Sequence, residues 1–114
     1  MGSKNKLKKF QENNTFKNVI QPNIKEIIKK NHFLKGNWHK SIFKNNNPIH
    51  LELGCGKGEY STFLAESNPD KNFIGIDIKG ARFWHGAKLS QENSLENVFF
   101  LRTKIEYLEK FFKN

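Results

Sequence analysis

Leu51-Glu52-Leu53-Gly54-Cys55-Gly56-Lys57-Gly58-Glu59 decides how this chain reads. Ahead of the glycines, Ile49, Leu51 and Leu53 alternate with His50 and Glu52, as in a short strand. Behind them, Tyr60, Phe63 and Leu64 fall at i, i+3 and i+4, one face of a helix. A glycine loop between a strand and a helix lies at the carboxyl edge of a parallel sheet, where open α/β folds bind ligands. Its glycines let the backbone turn sharply and approach a ligand with no Cβ in the way.

Downstream, Asn68-Pro69-Asp70 breaks the helix. Phe73 to Ile78 reads as a second strand, and residues 79–93 as a helix burying Ala81, Trp84 and Ala87. Val98 to Leu101 is a continuous apolar run, as in a buried parallel strand. Ile105, Leu108 and Phe112 predict a third helix. Three strand-helix units in succession imply an α/β fold with a parallel sheet and right-handed crossovers. Upstream, residues 1–19 are rich in Lys and Asn and read as a mobile arm. Pro22 suits a helix start, Ile24, Ile27 and Ile28 follow at helical spacing, and Gly36 is its expected stop. The expected plan is a basic arm and helix over residues 1–47, then three strand-helix units over 48–114.

The 114 residues carry a formal net charge of +9. Residues 1–47 hold eleven Lys against two Glu, whereas residues 48–114 balance nine basic residues with nine acids. A basic arm on a neutral domain suits a polyanion such as RNA. Lysine drift in an AT-rich genome is the alternative, since Asn, Ile and Phe are also abundant. No apolar run approaches the roughly 18 residues of a membrane helix. Cys55 is the only cysteine, so an internal disulfide is excluded, and the four His lack zinc-ligand spacing. No metal and a cytoplasmic location are expected.

The glycine spacing narrows the ligand. A dinucleotide fingerprint needs its third glycine at position 59, which is Glu. The pattern is G-x-G-x-G over Gly54, Gly56 and Gly58. A pyrophosphate gains nothing from carboxylates at Glu52 and Glu59. S-adenosylmethionine has no phosphate and carries an ammonium and a sulfonium, which such acids suit. Asp77 ends the second strand, nineteen residues past Gly58. It either accepts hydrogen bonds from two ribose hydroxyls or caps the helix that follows. Glu52 reads as a ligand or loop-holding group, because an unpaired buried carboxylate is costly. Cys55 reads as a small loop residue, Lys57 as a solvated charge and Glu59 as favouring the helix start.

Glu52 to Glu59 followed by Phe73-Ile74-Gly75-Ile76-Asp77 resembles the class I methyltransferases, a Rossmann-like fold. Across residues 4–110 the chain resembles the bacterial tRNA (guanine-N7)-methyltransferases. The likeness lies particularly in Ile76-Asp77-Ile78-Lys79-Gly80-Ala81-Arg82 and in the basic start from Lys4-Asn5-Lys6-Leu7 to Gln21-Pro22. The resemblance implies methyl transfer from S-adenosylmethionine to N7 of a guanine in tRNA, with cofactor binding at Glu52, Gly54 and Asp77. It implies a third contact at the end of the third strand, where Arg102-Thr103-Lys104 replaces the usual Asn or acid and Arg102 takes that place. The family resembled is roughly twice as long, and its later Asp-Pro motif has no match here. The resemblance therefore covers only the first half of the fold and names no catalytic residue. It implies a further C-terminal half or a companion chain to complete the acceptor pocket. In that fold the first strand is central, so alone it presents an open apolar edge, and an aggregating or unstable chain is expected.

Lys4, Lys6, Lys8 and Lys9 are the expected tRNA phosphate contacts. Phe10, Phe16, Trp38 and Phe43 either stack on bases or dock on the core, with docking expected for Trp38 and Phe43. Arg82 faces either the cofactor or RNA. Two other readings are a class I methyltransferase with a different acceptor and a non-catalytic RNA- or cofactor-binding fragment.

Overall fold

The computed structural model describes the backbone of residues 3–113 and the side chains of residues 5–113. Helix α1 (Ser3–Asn13) leads through β1 (Val19–Ile20) to α2 (Ile24–Lys29) and a π-helical segment, Trp38–Phe43. Then come β2 (Ile49–Leu53), α3 (Glu59–Ser67), β3 (Asn72–Asp77), α4 (Gly80–Glu92), β4 (Val98–Arg102) and a 3-10 segment, Ile105–Lys110. The strands form one parallel sheet in the order β1-β4-β3-β2. The α/β, Rossmann-like arrangement of three strand-helix units thus stands, with one extra strand ahead of it.

Strand alternation divides the core between two faces. Phe73, Val98 and Phe100 meet Ala65 of α3 and Phe83 and Ala87 of α4. Ile74, Ile76 and Leu101 point the other way and meet Ile27, Leu34, Trp38 and Phe43. Residues from 1–47 and from 48–114 therefore share one core. Trp38 and Phe43 are docked as expected, and the Trp38 indole N–H donates to the Phe111 carbonyl at 2.8 Å.

Several expectations change. Among the described residues of the expected mobile arm, residues 3–13 instead form α1, which packs along α4. Polar side chains dock it. Asn13 is fully buried and donates to the Gly80 carbonyl at 2.8 Å, and the Trp84 indole donates to Glu12 at 2.9 Å. Asn18 donates to the Ala87 carbonyl, while its own carbonyl accepts from the Phe100 amide, starting β1 beside β4. Hydrophobic periodicity is blind to docking through amides.

Helix α2 ends at Lys29, with an extended Lys30 as its C-cap, rather than at Gly36, because the His32 amide turns to the Lys110 carbonyl and Leu34 enters the core. The third helix is a 3-10 turn anchored by Phe111, and it leaves Ile105 exposed. On α4 the buried face is Phe83, Gly86, Ala87 and Ser90, while Ala81 and Trp84 are half-buried against α1. On α3, Ser61, Thr62 and Ala65 face inward; Tyr60 and Phe63 are 59% and 61% exposed. Small residues let α3 sit close to α4, where the Thr62 hydroxyl reaches the Gly86 carbonyl and Ser90. Tyr60 and Phe63 thus lie bare, as do Leu51 and Leu53 on β2, the edge strand.

Candidate functional site

Strand β2 ends at Leu53, and Gly54, Gly56 and Gly58 then take φ of 68°, 57° and 79°. Left-handed backbone is costly for residues with a Cβ, so this turn requires glycine or strain. The Cys55 amide continues the ladder to the Ile76 carbonyl at 2.9 Å, and the Gly58 amide closes the turn on the Cys55 carbonyl at 3.0 Å.

The loop is fastened to Asp77. Oδ2 of Asp77 accepts from the Gly56 amide at 3.0 Å, and Oδ1 accepts from the Lys79 amide at 2.9 Å, at the start of α4. Asp77 is therefore a loop clasp that also forms a turn just ahead of α4, whose N-cap residue is Lys79 and has no side-chain cap. A carboxylate has about four acceptor positions, so each oxygen keeps one free. Glu52 is half-buried and accepts from the hydroxyl of Ser61, itself buried in the first turns of α3. Ser61 escapes a sequence reading, since only the fold shows that it positions Glu52.

The three glycines do different work. A Cβ on Gly54 would meet nothing within 4 Å, so the loop is open there. A Cβ on Gly56 would stand 3.2 Å from the Arg82 guanidinium, which lies over the loop. Gly58 is closed off: a Cβ there would press on the Phe100 ring and stand 3.4 Å from Gly86. The Cys55 thiol is pushed up to about 12 by burial and then by the carboxylates of Asp77 and Glu52. It stays protonated at neutral pH and is no nucleophile.

Beside the loop, α1 and the start of α4 enclose a cavity of about 780 Å³. Lys6 and Lys9 line it, but Lys8 does not. The side chain of Lys4 lies outside the described residues. Arg102 also lines it, with its guanidinium 5.0 Å from the centre of the Phe10 ring. The structure thus gathers Glu52, Gly54, Gly56 and Asp77 at one sheet edge. It sends the Arg102 side chain toward α1. Among the described residues, no three His, Cys, Asp or Glu side chains are grouped to hold a metal, and no helix is long and apolar enough to cross a membrane.

The chain is similar to known methyltransferases. The chain is 62% identical over 112 residues to the tRNA (guanine-N(7)-)-methyltransferase of Christiangramia forsetii, a match covering 98% of this chain and 50% of the relative. It is 50% identical over 109 residues to the protein of that name from Bacteroides fragilis, covering 96% of this chain and 43% of the relative. A third such protein, from Cytophaga hutchinsonii, is 49% identical over 111 residues, covering 97% and 48%. The chain spans about half the length of the curated relatives it matches. The sequence profile of the family described as "Putative methyltransferase" matches residues 46–114, from just before β2 through the glycine loop, Asp77 and β4. The chain belongs to this methyltransferase family.

Proposed function

We propose that this chain supplies the S-adenosylmethionine site, and part of the tRNA-binding surface, of an enzyme that methylates N7 of a guanine in tRNA. One observation carries the donor site: Asp77 is clasped to the Gly56 amide beside the open face of Gly54. The acceptor follows the names of the relatives. Because the chain spans about half of each, the guanine pocket is assigned to the remainder of such a protein.

The residues fit this donor. Asp77 keeps acceptor capacity for two ribose hydroxyls, and Glu52, held by Ser61, offers negative charge to an ammonium or sulfonium. Gly54 leaves room for close approach. Arg102 contributes only its backbone to the cofactor, since its guanidinium lies over Phe10. Bound there, S-adenosylmethionine would supply an electrophilic methyl group. Guanine N7 bears a lone pair and no proton, so no residue need act as a strong base. The chain's task is then positioning, together with a carboxylate field for the cationic partner. Lys6 and Lys9, which line the cavity, hold tRNA phosphates, with Lys4 as an outer contact; Lys8 lies outside the cavity and faces solvent.

The test is a chimera that joins this chain to the remainder of the Christiangramia forsetii protein. Incubated with methyl-labelled donor and unmodified tRNA, it should form 7-methylguanosine, and Asp77→Ala should abolish the product. Label entering protein instead of tRNA would favour another acceptor. Binding of both ligands without transfer would favour the non-catalytic reading.

A further inference from the structure

The cavity between α1 and α4 is more than a continuation of the donor site. Six of its lining residues are cationic: Lys6, Lys9, Lys57, Lys79, Arg82 and Arg102. None of its lining residues is a carboxylate. They come from four separate segments, so the fold has gathered them. Converging like charges repel, and a bound polyanion relieves that repulsion.

Aromatic faces set two of these cations in place. Lys9 lies 5.1 Å from the centre of the Trp84 ring, and Arg102 lies 5.0 Å from that of Phe10. A cation held over a ring keeps its charge available, whereas one paired with a carboxylate does not. His85 adds a further nitrogen beside Lys9, at 3.4 Å. Burial first, then Lys9 and Lys57, lower its pKa, against an opposing pull from Glu59.

We propose that this cleft binds a phosphodiester of the RNA backbone, with Arg82 and Lys9 as its principal contacts. The proposal rests on the tRNA reading above and replaces a diffuse basic arm with a built site. Arg82 gives it a further consequence. Its guanidinium lies over Gly56, so the phosphate it holds adjoins the glycine loop. That phosphate then belongs to the nucleotide being methylated or to its immediate neighbour, and the cleft sets the register of the RNA against the donor. Lys8 is on the same helix yet outside the cleft, which makes it the internal control.

The test is fluorescence anisotropy of labelled, unmodified tRNA with the 114-residue chain across a salt series, with circular dichroism confirming that each variant folds. Arg82→Gln and Lys9→Gln should each weaken binding on the order of tenfold and lower the salt slope by about 1. Lys8→Gln should change affinity by less than about twofold. Equal losses from Lys8→Gln and Arg82→Gln would overturn the cleft while leaving the tRNA reading intact. Displacement of tRNA by millimolar inorganic pyrophosphate at constant ionic strength would assign the cleft to a free anion and overturn the RNA assignment. No binding of tRNA by the unaltered chain would overturn both readings together.

Discussion

Gly86 of α4 rests directly on Gly58 of the glycine loop. Its amide donates to the neighbouring Lys57 carbonyl at 2.7 Å, and a Cβ on Gly86 would stand 2.8 Å from the Gly58 Cα. The loop is therefore fastened twice, to α4 through Gly86 and to β3 through Asp77. Gly86→Ala should destabilise the chain by about 1–3 kcal/mol, because backbone on both sides must move apart. Gly54→Ala meets open space and should cost only the strain of positive φ, about 1–2 kcal/mol. Urea melts of both variants check this. Equal midpoints for Gly86→Ala and the unaltered chain would contradict the contact.

Asp77→Ala removes the acceptor of the Gly56 amide and the proposed ribose contact together. Donor affinity in a calorimetric titration should fall at least about tenfold, given roughly 1.5–3 kcal/mol for a hydrogen bond to a charged group. An unchanged dissociation constant would remove Asp77 from the donor site.

The turn that builds the candidate site was largely legible in the sequence, whereas the docking of the arm was not. Gly54, Gly56 and Asp77 announce themselves because a turn and a strand end restrict which residues serve there. Gly58 looked equivalent to its neighbours, yet it packs on Phe100 and Gly86, a role that spacing cannot reveal. Residues 3–20 misled because their docking runs through Asn13, Asn18 and Gln21, polar residues that a hydrophobic pattern treats as solvent-facing. Tyr60 and Phe63 misled in the other direction. Their helical spacing is real, but the face they mark is exposed, while Ser61, Thr62 and Ala65 face the core.

That exposed face predicts behaviour in solution. Leu53, Tyr60 and Phe63 are 49%, 59% and 61% exposed beside the free edge of β2. An unpaired apolar strand edge recruits other chains. Sedimentation velocity should show association that grows with concentration, and Leu53→Lys with Phe63→Lys should suppress it. A single monomeric species at every concentration would contradict this.

Acid should weaken the fold through His32. Its Nδ1 accepts from the Leu34 amide at 3.2 Å, which requires the neutral ring. Burial lowers its pKa below 6.5, against an opposing pull from Glu26. The unfolded chain thus takes up a proton first as pH falls, so stability is full above the unfolded value of 6.5 and declines below it, down to the lower folded value. Thermal melts between about pH 7.5 and pH 5 should show this decline, with a smaller one in His32→Gln. An identical slope in both would exclude His32 as the cause.

The central claim is that the loop from Gly54 to Gly58, clasped to Asp77, receives the methyl donor. Amide chemical shifts of the nitrogen-15-labelled chain, followed as S-adenosylmethionine is added, test it most directly. The shifts should move first at Gly54, Gly56 and Asp77, saturate with one equivalent, and vanish in Asp77→Ala. Saturable shifts confined to the opposite sheet edge, around Phe43 and Leu95, would contradict it, as would no shift at all.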